Sequence, residues 1–284
     1  MAVRQVGIVM TPVEAHEAKG VIINRTIGSE KLVLLDPFLL CDHLTVADDG
    51  TDVNEVGFPR HPHRGIETLT YVFAGRMKHK DSMGNEEVVN AGETQFMTAG
   101  AGLFHEEMVF VDDNGHESLQ LWFNLPASQK KIMPAYRAAH NDEVPVVTTA
   151  EGAVVRIVAG AFSGSQGPLT GIAADPTYLQ VTLPQGASIT LPVRDGDTAF
   201  AYVYRGEGTF GANEKAVSAP KLAIFAEEGD TVTASAGPED MQFIFASARP
   251  WKEPVLQYRS LVLSSVTEMQ EALEDLENGT FAKY

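Results

Sequence analysis

Gly57-Phe58-Pro59-Arg60-His61-Pro62-His63-Arg64-Gly65 sets two histidines one residue apart. In extended backbone the side chains repeat with period two, so His61 and His63 share a face. His105-Glu106-Glu107 repeats the spacing further along, with His105 and Glu107 on one face and Glu106 on the other. Folded into one small barrel, the two pairs would converge as three imidazoles and one carboxylate. That donor set suits a divalent transition metal, whereas calcium and magnesium prefer all-oxygen shells. A single His-x-His is common on exposed strands. Two such pairs, beside Gly65, Gly100 and Gly102, favour a metal site, because glycine serves where backbone turns tightly or approaches closely.

The 284 residues suffice for one large or two medium domains with cores of their own. An apolar fraction of 44% with 21% charged residues fits a globular chain. No apolar run reaches membrane-spanning length, and Met1-Ala2-Val3-Arg4-Gln5 lacks the basic-then-apolar start of a secretory signal. Cys41 is the one cysteine, so no intramolecular disulfide forms, and its apolar surroundings predict a buried, inert thiol. A cytoplasmic setting is the default expectation. The net charge of −17 repels phosphate backbones and argues against direct nucleic-acid binding, while naming no partner.

Short strands are expected at Val6 to Met10, Gly20 to Asn24 and Leu32 to Leu35. Val46 to Val56 reads as a loop, and His43 as a satisfied polar residue near a strand end. Glu67 to Ala74 is a strong strand entering a turn at Gly75. Lys78 to Asn85 reads as a hairpin tip, which would leave His79 solvated and outside any site. Strands at Glu93 to Thr98, Met108 to Val111 and Ser118 to Leu125 complete an all-β run. Pro126 to Pro145 has the texture of an inter-domain connector. Strands then resume from Val154 to Ala246. Thr267-Glu268-Met269-Gln270 has a capping-box pattern, opening a short helix with Met269, Ala272, Leu273 and Leu276 inward and a stop at Asn278-Gly279.

The two halves repeat each other. Thr70-Tyr71-Val72-Phe73-Ala74-Gly75 matches Ala201-Tyr202-Val203-Tyr204-Arg205-Gly206, and in that register Gly65 falls on Gly196. His61 then falls on Pro192 and His63 on Arg194, and no histidine follows His140. The second half reads as the same barrel without a metal site.

His61-Pro62-His63-Arg64-Gly65-Ile66-Glu67-Thr68, Met97 to Met108, Leu119 to Leu125 and Glu253 to Tyr258 together resemble the pirin family of two-domain cupins. The likeness runs over nearly the whole chain. It implies an all-β fold of two antiparallel cupin β-barrels, a bicupin, with a short C-terminal helix. The expected division is residues 1–137 as the metal-binding domain and 138–284 as a domain without ligands, with the N-terminal strand crossing to the other domain. Arg259-Ser260 stands where a Gly-Pro pair is commoner in the family, far along the chain from the metal motif.

Spacing leaves the carboxylate open between Glu67, the position used in many cupins, and Glu107. The resemblance implies Glu107, with His61, His63 and His105, as the metal ligands. Glu67 is then expected to orient an imidazole or to pair with Arg64. The resemblance further implies iron(II), with zinc, manganese, nickel or copper as competitors, and quercetin 2,3-dioxygenase activity on a flavonol with O2. Glu107 would act as the base for the substrate hydroxyl, and Phe58, Met97 and Phe104 are candidates either for an apolar wall or for ordinary core. The alternative reading is an iron-dependent, redox-sensing regulator that binds a protein partner.

Overall fold

The computed structural model describes residues 2–17, 20–46, 56–113 and 115–282. Most of the loop expected between Val46 and Val56 lies outside them. The β-branched and aromatic runs pair into antiparallel sheets, and the chain separates into two units. One comprises Val13–Asn141 with Trp251–Tyr284, the other Met1–Pro12 with Asp142–Pro250.

Each unit has one seven-stranded and one four-stranded sheet. In the first unit the larger sheet runs Ala135–Ala139, Thr94–Thr98, Ile66–Ala74, His116–Asn124, Phe38–Val46, Ile22–Arg25, Val13–Ala15. Its smaller sheet runs Gly57–His63, Leu103–Phe110, Arg76–Asp81, Glu86–Asn90. The second unit copies this order. Its larger sheet is Val6–Met10, Lys221–Phe225, Thr198–Arg205, Met241–Ala248, Thr177–Leu183, Val154–Ala159, Val146–Thr148. Its smaller sheet is Ser188–Pro192, Thr231–Ala236, Glu207–Phe210, Lys215–Ser218. The strand holding Thr70 and the strand holding Ala201 occupy the same place, as the repeat predicts.

This division corrects a single cut after residue 137 on two counts and agrees with the expected crossing of the N-terminal strand. Ala135–Ala139, expected within a connector, pairs with Thr94–Thr98 and closes the edge of the first unit's sheet. Val6–Met10 fills the corresponding edge of the second unit beside Lys221–Phe225. The last residues return to the first unit, where Arg64 pairs with Asp275 and Val262 N–H bonds to Arg64 O. Unpaired sheet edges expose backbone donors and acceptors, so a segment that covers one belongs to the unit it completes.

Apolar side chains fill both units, with Ile23, Leu44, Val72, Met77, Val89 and Val109 in one cluster and Leu191, Val203, Phe210, Phe243 and Phe245 in another. Cys41 is fully buried, and burial pushes its thiol up to about 12. His43 lies buried within its strand, Nε2 at 2.8 Å from Glu117 Oε1. The helix is Val266–Glu277, and its cap lies two residues before the first residue of the predicted box. Ser265 is its cap, accepting Glu268 N–H at 3.2 Å, while Glu268 Oε2 accepts Ser264 N–H at 3.0 Å. Met269 and Ala272 are buried, and Leu273 and Leu276 pack beside them. Among the described residues, no helix is long and apolar enough to cross a membrane.

Arg4 anchors the N-terminal segment. It is fully buried and donates from Nε to Gly229 O at 2.9 Å, from Nη1 to Asp197 O at 2.7 Å and from Nη2 to Arg194 O at 3.2 Å. Hydrogen bonds to charged groups contribute about 1.5–3 kcal/mol each, and acceptors left unmade carry their own cost. Arg4→Met is therefore expected to lose on the order of 3 kcal/mol, measured as a lower urea midpoint at unchanged m-value.

Candidate metal centre

The site is built on the small sheet of the first unit, where Leu103–Phe110 runs between Gly57–His63 and Arg76–Asp81. In that register His105 faces His61 directly across one strand pair, and Glu107 faces His79 across the other. Along Leu103–Phe110 burial alternates, with His105 and Glu107 inside and Glu106 turned outward, as period two predicts.

Three imidazoles meet. His61 Nε2 lies 2.9 Å from His63 Nε2 and 3.0 Å from His105 Nε2. The outer nitrogens of two rings face backbone carbonyls, His61 Nδ1 at 2.8 Å from Pro59 O and His63 Nδ1 at 3.4 Å from Ser260 O. Carbonyl oxygens only accept, so the proton of each ring sits on Nδ1 and the inward Nε2 carries a lone pair. Burial holds His63 and His105 well below the usual imidazole range and lowers His61 as well, which keeps the ligand form neutral. Two nitrogens bound to one metal at about 2.1 Å and at right angles stand about 3.0 Å apart. Converging lone pairs at this spacing fit a transition-metal cation.

Glu107 stands beside this cluster. Its ligating oxygen groups with His79 and His105 within 4.8 Å, while the three inward histidines form their own group. Gln95 Nε2 donates to Oε1 and Gln120 Nε2 donates to Oε2, the latter at 2.8 Å. The amides are themselves oriented, since Tyr136 Oη–H reaches Gln95 Oε1 at 3.2 Å and Trp122 Nε1–H reaches Gln120 Oε1 at 2.8 Å. Burial pushes the Glu107 carboxyl up to about 7 against the two amide bonds that favour its ionised form. A cavity of about 730 Å³ opens onto the cluster, lined by Phe58, His61, His63, Glu107, Gln120 and Trp122 among others.

Other predicted site residues lie elsewhere. Met97 is buried in core and Phe104 packs against Phe281, so of the three proposed wall residues Phe58 alone lines this cavity. Glu67 accepts the Thr98 hydroxyl at 3.0 Å, and Arg64 pairs with Asp275. Glu67 would share the face of His61 and His63 only on one continuous strand. Arg64-Gly65 instead carries the chain from the small sheet into the large one. Arg259-Ser260, distant in sequence, lies against His63. Ser260 supplies the carbonyl for its Nδ1, and Ser260 Oγ donates to Pro62 O at 2.6 Å. Arg259 adopts φ +54°, a conformation that glycine takes without strain.

His79 is the largest departure. It is 1% exposed, stacked on Tyr136 with ring centroids 4.1 Å apart. Its strand is Arg76–Asp81, and the hairpin tip begins at Ser82. Met77, His79 and Asp81 alternate with Arg76, Lys78 and Lys80, a period-two pattern that marks the strand. Gln120 and Trp122 lie in the stretch Leu119 to Leu125 and Gln95 and Tyr136 in no quoted motif, and all four become visible as site residues only through their contacts.

Two antiparallel barrels of one strand order, one of them with an interior histidine cluster, define a bicupin. The chain belongs to the pirin family: the Pirin profile matches residues 20–123, and that of the Pirin C-terminal cupin domain matches residues 178–282. A Pseudomonas aeruginosa protein provisionally named quercetin 2,3-dioxygenase is 35% identical, covering 94% of each chain. A pirin-like protein of Caulobacter vibrioides is 36% identical over 99% of this chain and 100% of its own length. The crystal structure of quercetin 2,3-dioxygenase from Acinetobacter baumannii superposes with a TM-score of 0.90 at 28% identity, covering 99% of both chains.

Gly65 sets the path that follows His63. Its φ is +77°, and a Cβ there would stand 2.0 Å from Val262 O. Lys130 Nζ pins its carbonyl at 2.8 Å. Gly65→Ala must shift backbone as well as adopt a strained φ, so it is expected to cost more than about 2 kcal/mol, measured as a lower chemical-denaturation midpoint.

Proposed function

We propose that this chain is a metal-dependent dioxygenase of the quercetin 2,3-dioxygenase type, with His61, His63, His105 and Glu107 holding iron(II). One observation carries the reading: three neutral imidazoles aim their Nε2 atoms at one another beside a cavity that Glu107 also lines. The names of the Pseudomonas and Acinetobacter proteins support the reaction type. When bound, the metal supplies Lewis acidity toward a chelating oxygen pair and a redox centre for dioxygen.

The protein's own groups handle the substrate. A flavonol would offer its 3-hydroxyl and 4-carbonyl oxygens to a metal held by these residues after losing the hydroxyl proton. Glu107, lining the cavity beside the imidazoles, would accept that proton as a general base. Gln95 and Gln120 hold the carboxylate by side-chain N–H hydrogen bonds that are made without a metal. Phe58 and Trp122 offer rings to a flat aromatic substrate, and Trp122 packs edge-on against His63 with centroids 4.9 Å apart. The ring opens with incorporation of O2 and release of carbon monoxide.

Protein loaded anaerobically with iron(II) and then exposed to air is expected to consume quercetin and form carbon monoxide, and to stop when a chelator is added. Replacing His61, His63 or His105 by alanine lowers bound metal. Glu107→Gln lowers turnover by about a hundredfold or more relative to any metal it loses. Absence of turnover of every flavonol by fully loaded protein would overturn the activity. Loss of metal in Glu67→Gln but not in Glu107→Gln would reassign the carboxylate.

A further inference from the structure

We propose that His79, backed by Asp81, is a positioning residue that fixes the tautomer of His105, so that His105 turns a lone pair and not an N–H toward the other two imidazoles. The inference rests on the reading of His105 as a metal ligand.

His61 and His63 need no help of this kind, because a backbone carbonyl faces each Nδ1. His105 differs. Its Nδ1 faces His79 Nδ1 at 3.5 Å, and that atom accepts a proton bond only if His79 carries its own proton on Nε2. Asp81 selects this state. Its Oδ2 lies 3.3 Å from His79 Nε2. Three other donors converge on the same carboxylate: Met83 N–H at 2.9 Å and Asn85 N–H at 3.0 Å on Oδ1, and Asn85 Nδ2–H at 2.7 Å on Oδ2. A group so surrounded by donors acts as an acceptor, and His79 Nε2 donates to it. His79 Nδ1 is then a lone pair, His105 Nδ1–H donates to it, and His105 Nε2 faces inward bare.

With the opposite order, His79 Nδ1–H would donate to His105 Nδ1. The proton of His105 would move to Nε2 and point at His61 Nε2, 3.0 Å away. The cluster would then offer two lone pairs and one N–H, and could not take a cation on all three rings. Packing limits reorientation of His79, which is buried and stacked on Tyr136 at 15° between ring planes. Orienting partners of this kind typically contribute about ten- to a hundredfold in metal affinity.

The test uses the full chain with ¹⁵N-labelled histidine and cobalt(II) as the metal probe. In the native metal-free protein, imidazole NMR should show the Nδ1–H tautomer for His61, His63 and His105 and the Nε2–H tautomer for His79. In His79→Phe, which keeps the stacked ring but loses the acceptor, His105 should shift toward the Nε2–H form. Cobalt(II) affinity should fall about ten- to a hundredfold. In His79→Gln, which can accept from His105 and donate to Asp81, the tautomer should be retained and affinity should stay within about threefold of native, well short of the loss expected when an orienting partner is removed. Finding Nδ1–H on His79 in the native chain overturns the proposal without any variant. So does a His79→Phe protein with unchanged His105, or a His79→Gln protein as weak as His79→Phe. If His105→Ala leaves cobalt(II) affinity intact, the metal reading fails by itself, and the native tautomers still decide the relay.

Discussion

The strand pairing of Leu103–Phe110 with its two neighbours sets everything at the centre of this protein. One residue of register determines whether His105 faces His61 or turns to the opposite side, because side chains alternate strictly along a strand. The pairing brings His61 to one flank and the His79–Asp81 segment to the other. The register shift between His105 and Glu107 on the side of Gly57–His63 gives the strand a bulge at the site itself. Bulges of this kind re-aim side chains next to functional centres. The turn at Gly65, held by Lys130 and lying against Val262, then carries the chain away without disturbing that alignment.

Much of this was legible in the sequence, for a definite reason. His61, His63, His105 and Glu107 sit in short segments where period two holds, and parity alone separated Glu107 from Glu106. The internal repeat likewise rested on strands that keep their register in both barrels. Glu67 stayed open in the sequence because parity does not carry across the change of sheet between His63 and Glu67. His79 failed because a Lys- and Asp-rich stretch looks like a solvated tip, although its alternation is that of a strand. Ser260 and the amides of Gln95 and Gln120 reach the site through contacts far apart in the chain, which no local pattern encodes. The C-terminal segment was misassigned for the same reason, because its partners in the first unit lie far away in the chain.

Electrostatics gives the cluster its chemical character. An exposed imidazole titrates near neutrality, but burial holds these three in the neutral form, ready to act as ligands. The same burial raises the Glu107 carboxyl, and a cation placed among the imidazoles would draw it back toward the ionised state. Burial thus costs four groups their solvation, a cost that a cation held among them would offset. The second barrel, which contains no histidine, makes no such exchange.

The comparison between the barrels can be made position by position. Gln120 and Gln95 both lie opposite Thr70, on the two strands that flank it. In the second unit Ala201 takes the place of Thr70, and the residues opposite it are Phe245 and Ala223. The two amides that hold Glu107 are thus replaced by a phenyl ring and a methyl group, both fully buried. A buried amide without its carboxylate partner would cost about 1–3 kcal/mol. Once the histidines are Pro192 and Arg194, an interior of Phe and Ala is the stable solution, because nothing remains there for an amide to bind. The apolar filling of one barrel and the polar filling of the other follow from one rule. Gln95, Gln120, Tyr136 and Trp122 are present where Glu107 must be held, so they belong to the site as much as the imidazoles do.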